Sequence, residues 1–189
     1  PKMERAQIHM VFIVVPRFNI TTLITMIETL RIANYLAPSS TFSWEVASFD
    51  GSKIIASNGM TATIKTANEN LRSAEFVFIL GSWGTEHYQN HKLTAWLRKR
   101  ARAGERICGV ELGSYIVARA GLLDGKSATI HWSWLNGFKE NFDRVEVEES
   151  LFTLDSKVMT CSGGLAGVDL MLRLIEEING SSFSGEIAD

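Results

Sequence analysis

The segment with the plainest chemical signature is Gly109-Val110-Glu111-Leu112-Gly113. It joins an apolar run at 106–110, which reads as a buried strand, to residues 114–120, which read as a helix ended by Gly121. A Gly-x-nucleophile-x-Gly turn between strand and helix is the elbow of many hydrolases. Its small residues permit a strained backbone that presents the central side chain at the carboxyl end of the sheet. Ligands of open α/β sheets gather at that edge. The centre here is Glu111, where acyl transfer needs a hydroxyl or thiol. A carboxylate is a poor acyl acceptor, and Ser114 falls inside the helix, so the motif itself disfavours hydrolysis. Two readings of Glu111 stand side by side at this point. One makes it a ligand-facing group; the other makes it a plain turn residue, solvated or turned back onto the helix's own N–H groups.

The surrounding pattern shows what must position this turn. Residues 8–15 are a buried strand stopped by Pro16, and 21–35 carry Leu23, Ile27, Leu30 and Ala33 at helical spacing. Residues 43–49 alternate as a strand before Asp50-Gly51, and a second extended piece lies around 60–64. A buried strand at 76–80 stops at Gly81, and a helix at 93–103 closes at Gly104. After His131 the pattern turns β-like at 145–147, 151–154 and 157–161, and Gly163-Gly164 opens a long helix at 165–178. Strands alternating with helices imply right-handed βαβ units. The expected fold is a three-layer α/β/α sandwich with a mostly parallel, flavodoxin-like central sheet and a small β-ribbon after His131.

Bulk properties exclude several classes. The 189 residues suit one domain, with 46% hydrophobic and 21% charged residues. A net charge of −2 and a pI near 6.1 argue against this segment binding nucleic acid by itself, which needs a Lys/Arg excess on one face. Cys108 and Cys161 lie in apolar runs without disulfide or metal spacing, so small buried core residues in a reducing cytoplasm are expected. His9, His87 and His91 have no partners at ligand spacing, and nothing points to a metal or cofactor. No apolar stretch approaches the roughly 18 residues a membrane span needs.

Six blocks then follow one another in a familiar order: Phe-Ile-Val-Val-Pro-Arg-Phe at 12–18, Glu-Thr-Leu-Arg-Ile-Ala-Asn at 28–34, Trp-Glu-Val-Ala-Ser-Phe-Asp-Gly at 44–51, Ala-Gly-Leu-Leu-Asp-Gly-Lys-Ser-Ala-Thr-Ile-His-Trp at 120–132, and Thr-Cys-Ser-Gly-Gly at 160–164 before Val-Asp-Leu-Met-Leu-Arg-Leu at 168–174. Together they resemble the amino-terminal domain of AraC-family transcriptional regulators built on the class I glutamine amidotransferase-like (PfpI-like) fold. The resemblance implies a ligand-sensing domain over 1–180. It makes 181–189 the start of a linker to a carboxy-terminal AraC-type helix-turn-helix domain, which would carry the DNA contacts.

The resemblance also implies roles. In the enzymes and stress proteins of this superfamily, an acid on the first helix contacts an elbow cysteine, with a histidine after a later strand close by. By motif, Glu28 matches the acid, Glu111 the cysteine and His131 the histidine. Gly81-Ser82-Trp83-Gly84 matches the loop that offers backbone N–H groups. The departure from cysteine at 111 puts thiol chemistry in doubt and fits a sensor without catalysis. The expected binding set is Glu28, Gly81, Ser82, Trp83, Glu111, Leu112, His131 and Trp132. A carboxylate pair flanked by tryptophans suits a cationic head group, and backbone N–H groups suit an anion. The effector expected is a zwitterion or quaternary amine, and the expected assembly is a homodimer. A free-standing hydrolase or glyoxalase-like enzyme using Glu28, Glu111 and His131 is the competing reading, and a purely structural dimerisation module with a vestigial pocket is a third.

Overall fold

Alternation along the first strand, β1 (Ala6–Val14), sets the layers. Met10, Phe12 and Val14 enter one core and Val11 and Ile13 another, each with no exposed surface. A strand apolar on both faces must be covered on both. The chain continues through α1 (Ile20–Leu36), β2 (Ser40–Ser48), β3 (Lys53–Ile55), β4 (Thr61–Thr63), β5 (Lys65–Thr66) and β6 (Phe76–Gly81). Then come α2 (His91–Arg102), β7 (Arg106–Glu111), α3 (Gly113–Arg119), β8 (Ser127–Ala128) and α4 (Leu135–Asn141). Last are β9 (Glu146–Val147), β10 (Phe152–Thr153), β11 (Val158–Cys161) and α5 (Ala166–Asn179). This computed structural model describes residues 6–36, 40–67, 70–179 and 187–188, the side chains of Ala6, Ser40 and Trp132 excepted.

Seven strands form the central sheet in the order β10-β11-β7-β6-β1-β2-β5. Every neighbouring pair is parallel except β10 with β11. Met26 and Leu30 of α1 and Leu170 and Leu174 of α5 fill the core on one face. Leu93 and Leu97 of α2, Ile116 of α3 and Phe138 of α4 fill the other. The result is the three-layer sandwich that the strand–helix alternation predicts. Phe12 and Phe78 are cross-strand partners with stacked rings 4.8 Å apart, which adds about 0.5–1.5 kcal/mol to their burial.

The region after His131 differs from expectation. Its strands divide between two sheets: β10 joins the main sheet as its antiparallel edge, and β9 pairs in parallel with β8, from before His131, in a separate two-stranded sheet. The helix α4 intervenes, because Phe138 and Phe142 stand four residues apart and both pack edge-on to Tyr115, at 5.1 and 5.7 Å. Helical phase brings both rings to one face; an extended chain of that length would carry Phe142 away from Tyr115. In the stretch expected as linker, Ile187 is 9% exposed and packs with the α1–α5 core. Cys108 and Cys161 are free and buried. Among the described residues, no helix is long and apolar enough to cross a membrane.

Candidate functional site

Glu111 is the last residue of β7, in register with Gly81 at the end of β6. Its φ is 55°, in the left-handed region that costs a side-chain-bearing residue roughly 1–2 kcal/mol. The elbow expected from the glycine spacing is therefore real backbone geometry. Gly113 makes it possible, because a Cβ there would run into the Ile79 carbonyl as α3 crosses β6. The Leu112 N–H donates to the Gly81 carbonyl at 3.1 Å and closes the turn.

The carboxylate of Glu111 turns toward α1. Thr22 Oγ1 donates to Glu111 Oε1 at 2.5 Å, and the Asn19 side chain bonds the same carboxylate. Asn19 is also the cap of α1: its Oδ1 accepts from the N–H groups of Thr21 and Thr22, at 3.1 and 3.4 Å. Burial raises the Glu111 carboxyl above its ordinary pKa, and the Thr22 and Asn19 bonds pull in the other direction without cancelling it. Gly163, at φ 111°, lies against the other side; a Cβ there would strike Glu111 Cγ. Behind it, burial and then the Glu111 charge push the Cys161 thiol up to about 12 despite a bond from the Gly163 N–H. That thiol stays protonated and inert near neutral pH.

Glu111 forms the floor of a cleft of about 320 Å³ at the carboxyl edge of the sheet. Ser82 and Trp83 line one side, His131, Ser133 and Trp134 another, and the turn 162–164 a third. Trp83 is 73% exposed, so its ring stands in solvent beside the opening. His131 Nδ1 lies 2.6 Å from Ser133 Oγ. The volume is at the small end of ligand cavities, enough for a metabolite of amino-acid size.

The sequence profile of the DJ-1/PfpI family matches residues 11–177. This chain belongs to the DJ-1/PfpI family. Its similar curated relatives include two proteins of Pseudomonas aeruginosa. The HTH-type transcriptional regulator CdhR is 34% identical over 94% of this chain and 53% of its own length. The HTH-type transcriptional regulator GbdR is 33% identical over 100% and 52%. The chain thus spans about half the length of the regulators it matches. Among solved structures, an AraC family transcriptional regulator from Pseudomonas putida superposes with a TM-score of 0.87 at 21% identity, over 96% of this chain and 97% of that one. At that identity the likeness speaks for the fold.

Within this DJ-1/PfpI domain, Ser82, Trp83, Glu111, Leu112 and His131 of the expected set line one cleft. Gly81 is buried beneath it and contributes its carbonyl to the elbow. The side chain of Trp132 lies outside the described residues. Glu28 does not join them. Its carboxylate is held by Arg31 one turn along, at 2.6–3.1 Å, on the surface of α1, and that bond lowers its pKa. Thr22 and Glu28 are six residues apart, which puts them about 240° apart around a helix axis. Only Thr22 can face the elbow, so the expected Glu28–Glu111 carboxylate pair is replaced by a hydroxyl–carboxylate bond. Sequence reading missed Asn19, Thr22, Ser133 and the cleft-facing turn 162–164. Asn19 had a local signal, an Asn immediately before an amphipathic run. Thr22 had none.

Proposed function

We propose that this DJ-1/PfpI domain is the effector-sensing part of a bacterial, cytoplasmic AraC-family transcriptional regulator. On this reading it works as a homodimer and reaches DNA through a carboxy-terminal helix-turn-helix domain. The elbow cleft takes a small amino-acid-like or quaternary-amine metabolite and carries out no catalysis. The observation that supports this best is the carboxylate at the elbow centre. Glu111 occupies the strained position that presents a reacting group, yet offers a largely buried carboxyl group instead of a nucleophile. A cationic head group beside it would offset the burial that raises its pKa. The rings of Trp83 and Trp134 would add cation–π attraction of about 0.5–2 kcal/mol. Ligand at this edge would favour one dimer arrangement over another, a population shift set by differential affinity.

Thermal-shift titration with glycine betaine, carnitine, arginine and neutral amino acids is the test. At least one cationic or zwitterionic probe should raise the melting temperature saturably. Glu111→Gln should weaken that probe by about 1.5–3 kcal/mol, roughly tenfold to over a hundredfold in affinity. Stabilisation by none of them, or equal stabilisation of the variant, would count against the reading. One observation favours a second reading, a working enzyme of the same superfamily: a carboxyl raised above its usual range is the kind that serves as a general acid. With Glu28 directed elsewhere, Glu111 and His131 would have to suffice. Turnover of amide, peptide or methylglyoxal substrates that vanishes in Glu111→Gln would establish it.

A further inference from the structure

The chain that leads from Trp83 to α2 also borders a second cavity. It measures about 250 Å³ and shares no lining residue with the elbow cleft. Tyr88 and Asn90 bound it from the loop, His91 and Arg98 from α2, and Ile116 and Arg119 from α3. His91 and Arg98 stand seven residues apart, two helical turns, and so share one face of α2. The wall thus carries two guanidinium groups and an imidazole but no carboxylate.

Among the described residues neither guanidinium forms a salt bridge, although the Glu86 charge acts on Arg119. Among the described residues, the side chains of Arg98 and His91 bond no protein group. Arg119 is half-buried and spends its donors on main-chain oxygens: Nη1 on Thr85 (3.3 Å) and Tyr88 (2.6 Å), and Nη2 on Glu86. Carbonyl dipoles solvate the guanidinium, and nearby negative charge compensates it only in part. Burial accordingly draws the Arg119 pKa down, with only partial relief from Tyr115 and Glu86. The Glu86 carboxylate is turned to the Gly84 N–H, at 2.9 Å. The end of α2 is not the donor here, because Asn90 Oδ1 already caps it through the Leu93 N–H. Ile116 lines the cavity and gives it a small apolar patch.

We propose that this cavity binds a small organic anion, a carboxylate or phosphate monoester held between Arg98 and Arg119 with its apolar part on Ile116. Arginine is the residue suited to such groups, since its planar fork meets two oxygens at once. The site does not depend on the proposed effector at the elbow. Arg119 nevertheless fixes carbonyls of the same loop that lines the elbow cleft, so an anion here would bear on that loop.

Calorimetric titration of the 189-residue chain with inorganic phosphate and, separately, glutarate at constant ionic strength tests this. Saturable binding of either probe is expected, weakened tenfold or more by Arg98→Gln, a loss of about 1.4 kcal/mol. The Arg102→Gln variant, on α2 but outside the cavity, should bind as the parent does. Arg98 is exposed and bonds nothing, so its variant should keep the parent melting temperature, and circular dichroism checks that. Binding of phosphate or of glutarate identifies which anionic group the site prefers. Heats that fail to saturate for both probes by about 10 mM, or equal binding by the Arg98→Gln variant, would overturn the proposal.

Discussion

Replacing Thr22 by valine removes one hydroxyl and almost no volume. Thr22 is 1% exposed, and its Oγ1 sits 2.5 Å from Glu111 Oε1. Thr and Val have similar helix propensities, so the change reads out the bond itself. A hydrogen bond to a charged partner contributes about 1.5–3 kcal/mol, and one to a neutral partner about 0.5–1.5. In a domain of this length each kcal/mol moves the melting temperature by about 2–4 °C, so Thr22→Val should lower it by roughly 3–12 °C at alkaline pH. The pH dependence has a definite sign. The Glu111 pKa is raised by burial and held back by the Thr22 bond, so losing the bond raises it further. The folded state then binds its proton more tightly, and the penalty of the substitution is largest where Glu111 is ionised. That penalty shrinks as pH falls through the folded pKa toward the ordinary 4.5. Differential scanning calorimetry from pH 8 down to 4.5 measures this. A double-mutant cycle with Glu111→Gln should show coupling of at least about 0.5 kcal/mol. A pH-independent loss, or additive single substitutions, would refute the claim that this contact holds a titrating carboxylate.

Three other outcomes follow from the same geometry. Gly163→Ala combines a φ of 111° with a Cβ against Glu111 Cγ; urea denaturation should show a loss of about 1–3 kcal/mol, and the displaced carboxylate should weaken any effector-induced thermal shift. Glu28→Gln should leave both melting temperature and effector affinity unchanged, because its carboxylate is exposed and engaged only with Arg31; a lost thermal shift in this variant would restore the paired-acid arrangement. In the middle of β2, burial opposes ionisation of Glu45. Lys65 (2.7 Å), His9 (2.7 Å) and the Arg72 N–H (3.1 Å) outweigh it and hold its carboxyl at about 2. That lowered pKa stabilises the fold above pH 4.5 and the contribution is lost as pH falls toward 2, so Glu45→Gln should flatten acid unfolding followed by circular dichroism across that window.

Much of this domain could be read from local pattern, and the reason is that its determinants are local. The two-faced apolar run at 8–15, the glycines around Glu111 and the Gly163-Gly164 pair each act on their own few residues, so strand, elbow and helix start emerge from the sequence alone. The short helix α4 did not, because its phase is set by Tyr115, whose ring receives Phe138 and Phe142. The site divides the same way. That an acid stands at the strand–helix turn is a fact of residues 109–113, and so is the improbability of nucleophilic chemistry there. What meets that acid is not. Thr22 lies 89 residues away, and only the rotation of α1 as it packs over the sheet beside α5 decides that its hydroxyl faces the elbow. By the same rotation the nearby glutamate, Glu28, faces water and Arg31. A helix carries candidates for a contact on every side, and one of them is selected by the non-local packing that sets its roll, which no spacing within the helix records.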